Sequence, residues 1–283
     1  MPLFETVAIV GVGLIGASFA LAIRKAGFRG RILGVSSAAA LEEARRRGAI
    51  DESASLEEAA ARADLILLAQ PISRILETLE RLDYHLRAGS LVTDAGSTKG
   101  RIVACGRRAI KRAQFLGGHP MAGKEKRGAA EADPELFRGR TWVLTPVEPG
   151  ELQSAAAREL IAWIRAIGAA PLVLAPAEHD RVVAFTSHLP QLLSTALAAV
   201  LADCLERPEH LRASGPGLLD MTRLAASSFE IWRDILATNS DAIREALDAC
   251  LQRLAGVRAA LESPELAAEF ERAAALARKV REA

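Results

Sequence analysis

The chain reads as an α/β protein, a doubly wound parallel sheet followed by an all-helical part, and three observations predict this. Short β-rich runs alternate with helical stretches through the first part, the first run ends in a glycine-spaced loop that opens a helix, and from Pro176 onward β-rich runs stop while Ala, Leu, Arg and Glu recur at helical spacing. A length of 283 residues exceeds what one core usually serves. Two domains are therefore expected, 1–175 and 176–283.

The strands expected in order are Val7–Val10, Arg31–Val35, Leu65–Leu68, Leu91–Thr93, Gln114–Gly117, Thr141–Leu144 and Leu172–Leu174, each a short apolar run bounded by turn-forming residues. Between them, Leu14–Ala26 and Leu41–Arg47 have helical spacing, and Gly48 follows the second as a glycine commonly follows a helix. In the helical half, Pro190 has no backbone N–H to give, so a kink or restart is expected there, freeing a carbonyl near Thr186 beside Ser187 and His188. Ser214-Gly215-Pro216-Gly217 is a strong stop before the helix that carries Asp220 and Arg223. No regulatory module is expected after that half.

Composition narrows the function classes. Thirty-six Lys and Arg against 35 Asp and Glu, interspersed and without a basic run, argue against a nucleic-acid partner. The sequence shows no charged leader before the first strand and no apolar stretch reaching the roughly 18 residues of a membrane span, so no membrane role is expected. Cys105, Cys204 and Cys250 are widely spaced without a CxxC pattern, which reads as reduced thiols in a cytoplasmic protein with no metal site.

Gly11-Val12-Gly13-Leu14-Ile15-Gly16 carries the first chemistry. It follows an apolar strand and opens an amphipathic helix, the setting of a Rossmann-type dinucleotide fingerprint. Gly11 permits the tight turn, Gly13 lets a pyrophosphate approach the backbone, and Gly16 packs helix on strand, while the helix start at Leu14 and Ile15 offers N–H groups to the anion. At the end of the second strand stand Ser36 and Ser37, where a carboxylate would hold the adenosine ribose and repel a 2′-phosphate. NAD(P) is the expected cofactor, with NADP slightly favoured over NAD.

His119 is the second landmark. It lies in Gly118-His119-Pro120-Met121-Ala122, expected as a loop at the carboxyl end of a sheet strand, where open α/β sheets bind ligands. With Asp94-Ala95-Gly96-Ser97-Thr98-Lys99-Gly100, Ser187-His188-Leu189-Pro190 and Asp220-Met221-Thr222-Arg223, it makes a set at which the chain resembles the prephenate/arogenate (cyclohexadienyl) dehydrogenase family of tyrosine biosynthesis. The resemblance runs from the glycine loop to the Asn239 region. It implies oxidative decarboxylation of prephenate or arogenate, and a homodimer assembled through the helical domain.

Residue by residue, the resemblance makes His119 the group that bonds the ring hydroxyl and Ser97 the one that orients that histidine and the nicotinamide. His188 becomes the second active-site histidine and Arg223 the grip on a substrate carboxylate, a role that suits a guanidinium fork. Arg223 also stands three residues after Asp220, where an intrahelical ion pair is the alternative reading. The family usually continues past Gly123 with Thr-Glu, whereas this chain has Lys124-Glu125-Lys126, so Lys124 is either a cation at the pocket rim or a solvated loop residue. Trp232 is assigned to the core, and His85, His179 and His210 are read as solvated or capping.

Two other readings compete. One is a β-hydroxyacid dehydrogenase or imine reductase of similar build, which would rely on a catalytic Lys or Asp rather than paired histidines. The other is a non-catalytic dinucleotide-sensing dimer, which needs neither histidine nor Arg223.

Overall fold

The computed structural model describes residues 3–124, 126–205 and 207–282. Eight strands form one sheet: β1 (Thr6–Val10), β2 (Arg31–Val35), β3 (Glu52–Ser53), β4 (Leu65–Leu68), β5 (Leu91–Asp94), β6 (Gln114–Pro120), β7 (Thr141–Thr145) and β8 (Ala170–Val173). Their spatial order is β3-β2-β1-β4-β5-β6-β7-β8. β1 is flanked in parallel by β2, with Val7 opposite Ile32, and by β4, with Val7 opposite Leu65. The order therefore reverses at β1, the switch point whose carboxyl-end crevice holds ligands in open α/β sheets.

The helices α1 (Leu14–Lys25), α2 (Ala38–Arg46), α3 (Leu56–Arg62), α4 (Ile72–Leu82), α5 (Gly100–Ala109) and α6 (Ala155–Ala166) connect these strands. Each face of the sheet carries its own apolar cluster. Phe4, Phe19, Ile32, Trp142 and Leu160 anchor one, and Leu33, Ile66, Ile75, Leu79 and Ile102 the other.

The sheet departs from expectation in three places. β6 extends to Pro120, so His119 stands within a strand and not in a following loop; antiparallel pairing with β7, His119 opposite Val143, carries β6 beyond the reach of its parallel partner β5. That antiparallel pair was not expected, because an apolar run does not encode strand direction. β3 has two residues, too few to show alternation, and β8 starts two residues before the expected run.

The helical half comprises α7 (Pro176–Val183), a π-helical turn at Ala184–His188, α8 (Leu189–Cys204), α9 (Pro216–Thr222), α10 (Phe229–Thr238), α11 (Ser240–Ala259) and α12 (Leu266–Glu282). Pro190, near the start of α8, explains the wide turn before it, since its ring cannot follow an ordinary helical turn and supplies no N–H to the carbonyl four residues back. The continuous run Pro176–Cys204 is long and apolar enough, by length and composition, to cross a membrane, which corrects the expectation that no stretch is. Its His179, Asp180, His188, Gln191 and Ser194 are nonetheless buried against protein.

Candidate active site

The glycine loop is shaped for an anion. Gly11 has φ +96°, and a Cβ there would strike the Ala69 carbonyl; a Cβ on Gly16 would strike the Gly11 carbonyl and Ile9. At Gly13 a Cβ would meet nothing, so the space is open where a pyrophosphate would approach. α1 begins directly after Gly13 without a side-chain cap and without an acid in its first turn, which leaves the partial positive charge of its N-terminus uncompensated. Gly13, Leu14 and Ile15 line a cleft of about 450 Å³ together with Gly96 and Ser97 from the loop after β5 and Ile231 and Asp234 from α10. The residues present thus fit a dinucleotide. Ser36 and Ser37 are exposed at the end of β2, and neither hydroxyl makes a hydrogen bond among the described residues.

Beyond this cleft, the residue before His119 is clamped by a buried ion pair. Asp94 and Lys99 are both fully buried and bonded to each other; Asp94 Oδ1 accepts from Gly118 N at 3.1 Å, and Lys99 Nζ donates to Gly118 O at 2.7 Å. Both backbone groups of Gly118 are therefore spoken for, and the direction in which His119 leaves the strand is set. Removing one partner of such a pair typically costs about 3–5 kcal/mol. Burial pulls the Lys99 ammonium below its usual range, with Asp94 opposing the shift.

His119 is itself buried, and its Nδ1 lies 2.9 Å from His179 Nε2. Burial holds the His119 ring well below the usual imidazole pKa, and the neighbouring His179, Lys99 and His188 push in the same direction. A neutral ring at physiological pH suits a hydrogen-bond acceptor.

His179 corrects the sequence reading outright. It is fully buried rather than solvated, because α7 packs against α5 and β7 and its ring meets His119 of β6. On its other side, Nδ1 lies 2.9 Å from Asp180 Oδ1, and Asp180 in turn accepts from Lys99 N at 2.6 Å and Gly100 N at 2.8 Å at the start of α5. One carboxylate of the helical half thus caps a helix of the sheet half and touches the histidine pair.

His188 ends the π-helical turn and is buried 3.3 Å from the amide of Asn239, which also donates to Asp180 O at 2.8 Å. Burial lowers its pKa to about 4, against the pull of Asp180. Trp232 packs edge-on to His188 with ring centroids 5.8 Å apart, and its buried indole Nε1 has no hydrogen-bond partner among the described residues. Its assignment to the core holds only in part: a buried unpaired donor beside a site histidine is unusual for packing alone.

Two contacts, one expected and one the alternative reading of Arg223, are absent among the described residues. Ser97 lines the cleft but makes no hydrogen bond to His119, whose ring partner is His179. Arg223 makes no ion pair with Asp220, because α9 ends at Thr222 and the chain tightens into a 3₁₀ turn at Arg223–Ala226. Exposed Arg223 instead lines a cavity of about 310 Å³ with Lys124, Arg127, Ser228 and Glu230. Lys124 is not simply solvated, for its Nζ lies 2.8 Å from Asp133.

Sequence reasoning missed His179, Asp180, Asn239 and Arg127, and treated Lys99 only as part of a motif. Adjacent His and Asp in the first turn after the last strand were the available signal for the first two. The ion pair through Lys99 joins residues five apart across a loop and has no periodic signature.

A Rossmann-type sheet with an open glycine loop, joined to a helical half that sets His179 against His119 of β6, defines a two-part dinucleotide-binding protein of the dehydrogenase class. Residues 19–174 match the family model described as prephenate dehydrogenase, nucleotide-binding domain, and residues 175–274 match prephenate dehydrogenase, dimerization domain. The prephenate dehydrogenase of Lactococcus lactis subsp. cremoris is 38% identical over 250 residues, 86% of this chain and 68% of that protein. Prephenate dehydrogenase from A. aeolicus, solved in complex with hydroxyphenyl propionate and NAD+, superposes with a TM-score of 0.86 at 30% identity over 97% of both chains. Synechocystis arogenate dehydrogenase gives 0.83 at 30% identity, over 97% of this chain and 99% of that one. The chain belongs to the prephenate dehydrogenase family.

Proposed function

We propose that this protein catalyses the NAD(P)-dependent oxidative decarboxylation of prephenate or arogenate, with residues 1–175 holding the dinucleotide and 176–283 contributing to substrate binding and to a homodimer. The single observation that carries the reading is the neutral, buried His119, tethered through Nδ1 and with Nε2 free of any hydrogen bond among the described residues, near the loop that carries Ser97.

In this reading Gly11, Gly13, Leu14, Ile15 and Gly16 cradle the pyrophosphate, and the bound dinucleotide supplies the hydride acceptor. His119 accepts the hydrogen bond of the ring hydroxyl and withdraws its proton as hydride leaves the same carbon. The carbon–carbon bond to the ring carboxylate then breaks, its electron pair makes the ring aromatic, carbon dioxide departs, and His119 returns the proton to the phenolic oxygen. Aromatisation makes the step effectively irreversible, which leaves positioning as the protein's main task. Ser97, lining the cleft, orients the reacting ends; His188, neutral, faces the substrate from the helical half; Arg223 pairs with a substrate carboxylate and Lys124 adds charge at the rim.

For the cofactor, the proposal favours NADP over NAD. It is supported by the lack of a carboxylate in Gly34-Val35-Ser36-Ser37 and by the exposure of both serine hydroxyls. A cytoplasmic location belongs to the same proposal and rests on the three free cysteines. The experiment is a steady-state assay pairing each substrate with each cofactor. Reduced nicotinamide and an aromatic product formed in equal amounts support the reading, and no turnover with any of the four pairs would remove it.

A further inference from the structure

Three side chains stand in file across the junction of the two halves. Asp180 accepts from the backbone N–H groups of Lys99 and Gly100, and its Oδ1 lies 2.9 Å from His179 Nδ1. A carboxylate so engaged accepts only, so the hydrogen between them sits on His179 Nδ1. In the neutral ring the other nitrogen, Nε2, is then a lone pair. His119 Nδ1, 2.9 Å from that lone pair, must be the N–H of its own ring. What remains on His119 is an unprotonated Nε2, the nitrogen a substrate hydroxyl needs.

We infer that His179, oriented by Asp180, is a positioning residue that holds His119 in the tautomer whose Nε2 can accept the substrate's hydroxyl proton. The inference rests on the dehydrogenase reading above. The O–H bond breaks toward His119 Nε2 as the C–H pair leaves as hydride; the same proton returns to that oxygen when the ring aromatises, so none is released. In between, His119 is a buried cation close to Lys99. Its Nδ1–H then points at the His179 lone pair, with the Asp180 carboxylate behind that ring, which offsets the repulsion.

Neither residue belongs to the sheet half. Asp180 and His179 both lie on α7, so docking of that helix on α5 and β6 is what sets the protonation pattern of a strand residue. A sheet half folded without α7 would leave His119 free to take either tautomer.

The test uses the full-length enzyme. Long-range ¹H–¹⁵N spectra, with the His119 signals assigned by their loss in His119→Asn, are expected to show Nδ1 protonated and Nε2 bare near neutral pH. His179→Phe is expected to mix the two tautomers and to lower kcat about 10²-fold, the low end of what a positioned base contributes, with substrate KM changed by less than about threefold. His179→Gln places a carboxamide oxygen close to the lost Nε2 and is expected to recover kcat to within about tenfold of wild type.

A proton on Nε2 of His119 in the wild type overturns the inference. So does a folded His179→Phe variant that keeps more than about half of wild-type kcat, or a His179→Gln variant as impaired as His179→Phe. If His179→Phe fails to fold, the wild-type spectrum and His179→Gln decide. Failure of the activity reading is a separate outcome, since an enzyme inactive on both substrates still has a readable His119 tautomer.

Discussion

The two halves of the molecule bury their apolar residues very differently. The sheet half encloses two large clusters, one on each face, with Phe19, Trp142, Ile66 and Leu79 fully inside. Among the described residues the helical half has one small cluster, centred on Ala184, Ile243 and Ala246, while Leu219, Leu251, Leu254, Leu261, Phe270, Leu276 and Val280 are more than half exposed. A half that closes by itself is joined to one that does not. That difference teaches where the second half finds its contacts: on the sheet half, where Ile235 joins one of the apolar clusters and Asp180, Thr238 and Asp234 make hydrogen bonds, and, in the proposed homodimer, on a second copy.

The largest effect that could break this comparison is one of assembly. Wild-type protein is expected to sediment at twice the 30.1 kDa chain mass, since symmetric dimers are the commonest homo-oligomers and large exposed apolar patches mark interfaces. The double variant Leu254→Glu with Leu276→Glu, both on the exposed helices α11 and α12, is expected to sediment as a monomer. A wild-type monomer at micromolar concentration would mean the helical half tolerates its exposed surface.

Next comes the chemistry. His119→Asn is expected to leave folding and dinucleotide affinity intact and to lower kcat by about 10² to 10⁴. Retention of more than about half of wild-type kcat would remove His119 from the mechanism.

Stability should fall with acidity at the junction. His188 is held at about 4 in the folded chain, and His119 lies well below its usual value, so the unfolded state binds more protons as pH drops. These groups contribute stability that is fully present above the unfolded pKa near 6.5 and is lost as pH falls through 6.5 toward 4. For His188 alone the loss is on the order of 3 kcal/mol. The expected measurement is a urea midpoint that declines across this window, with a shallower decline in His188→Gln. An unchanged slope would show that His188 is not held neutral.

Much of the sheet half was legible because its evidence is local. Apolar runs, turn residues and a glycine spacing are each contained in a few neighbouring positions, and the loop at Gly11, Gly13 and Gly16 has the turn, the open space and the helix contact that its spacing implies. The misplacement of His119 in a loop has a non-local cause, since strand β6 is prolonged by β7, more than twenty residues downstream. His179 was misread for the same reason. Its polar sequence neighbours suggest solvent, and only the docking of α7 against β6 buries it. The ring partner expected for His119 was Ser97, six residues after β5 begins, but the partner found comes from the other half of the chain.

Two smaller effects sharpen the division of labour between the halves. Arg223→Ala is expected to cost roughly 1.5 to 3 kcal/mol of substrate binding, read as a raised KM for substrate with unchanged cofactor affinity. Lost stability with an unchanged KM would make Arg223 a structural residue of the 3₁₀ turn. At the opposite end of the cleft, Ser36→Asp is expected to move the ratio of kcat/KM values toward NAD by about tenfold, through repulsion of the 2′-phosphate. A wild type already strongly selective for NAD would contradict that reading of the β2 loop.

The most direct test follows the hydride itself. Prephenate and arogenate carrying deuterium on the ring carbon that bears the hydroxyl are each incubated with wild-type protein and oxidised cofactor, and the products are read by mass spectrometry. The account expects, with one substrate or both, deuterium on the reduced nicotinamide, one equivalent of carbon dioxide per label transferred, and an aromatic product without that label. Absence of nicotinamide reduction with either substrate, or reduction without transfer of the label, would contradict it.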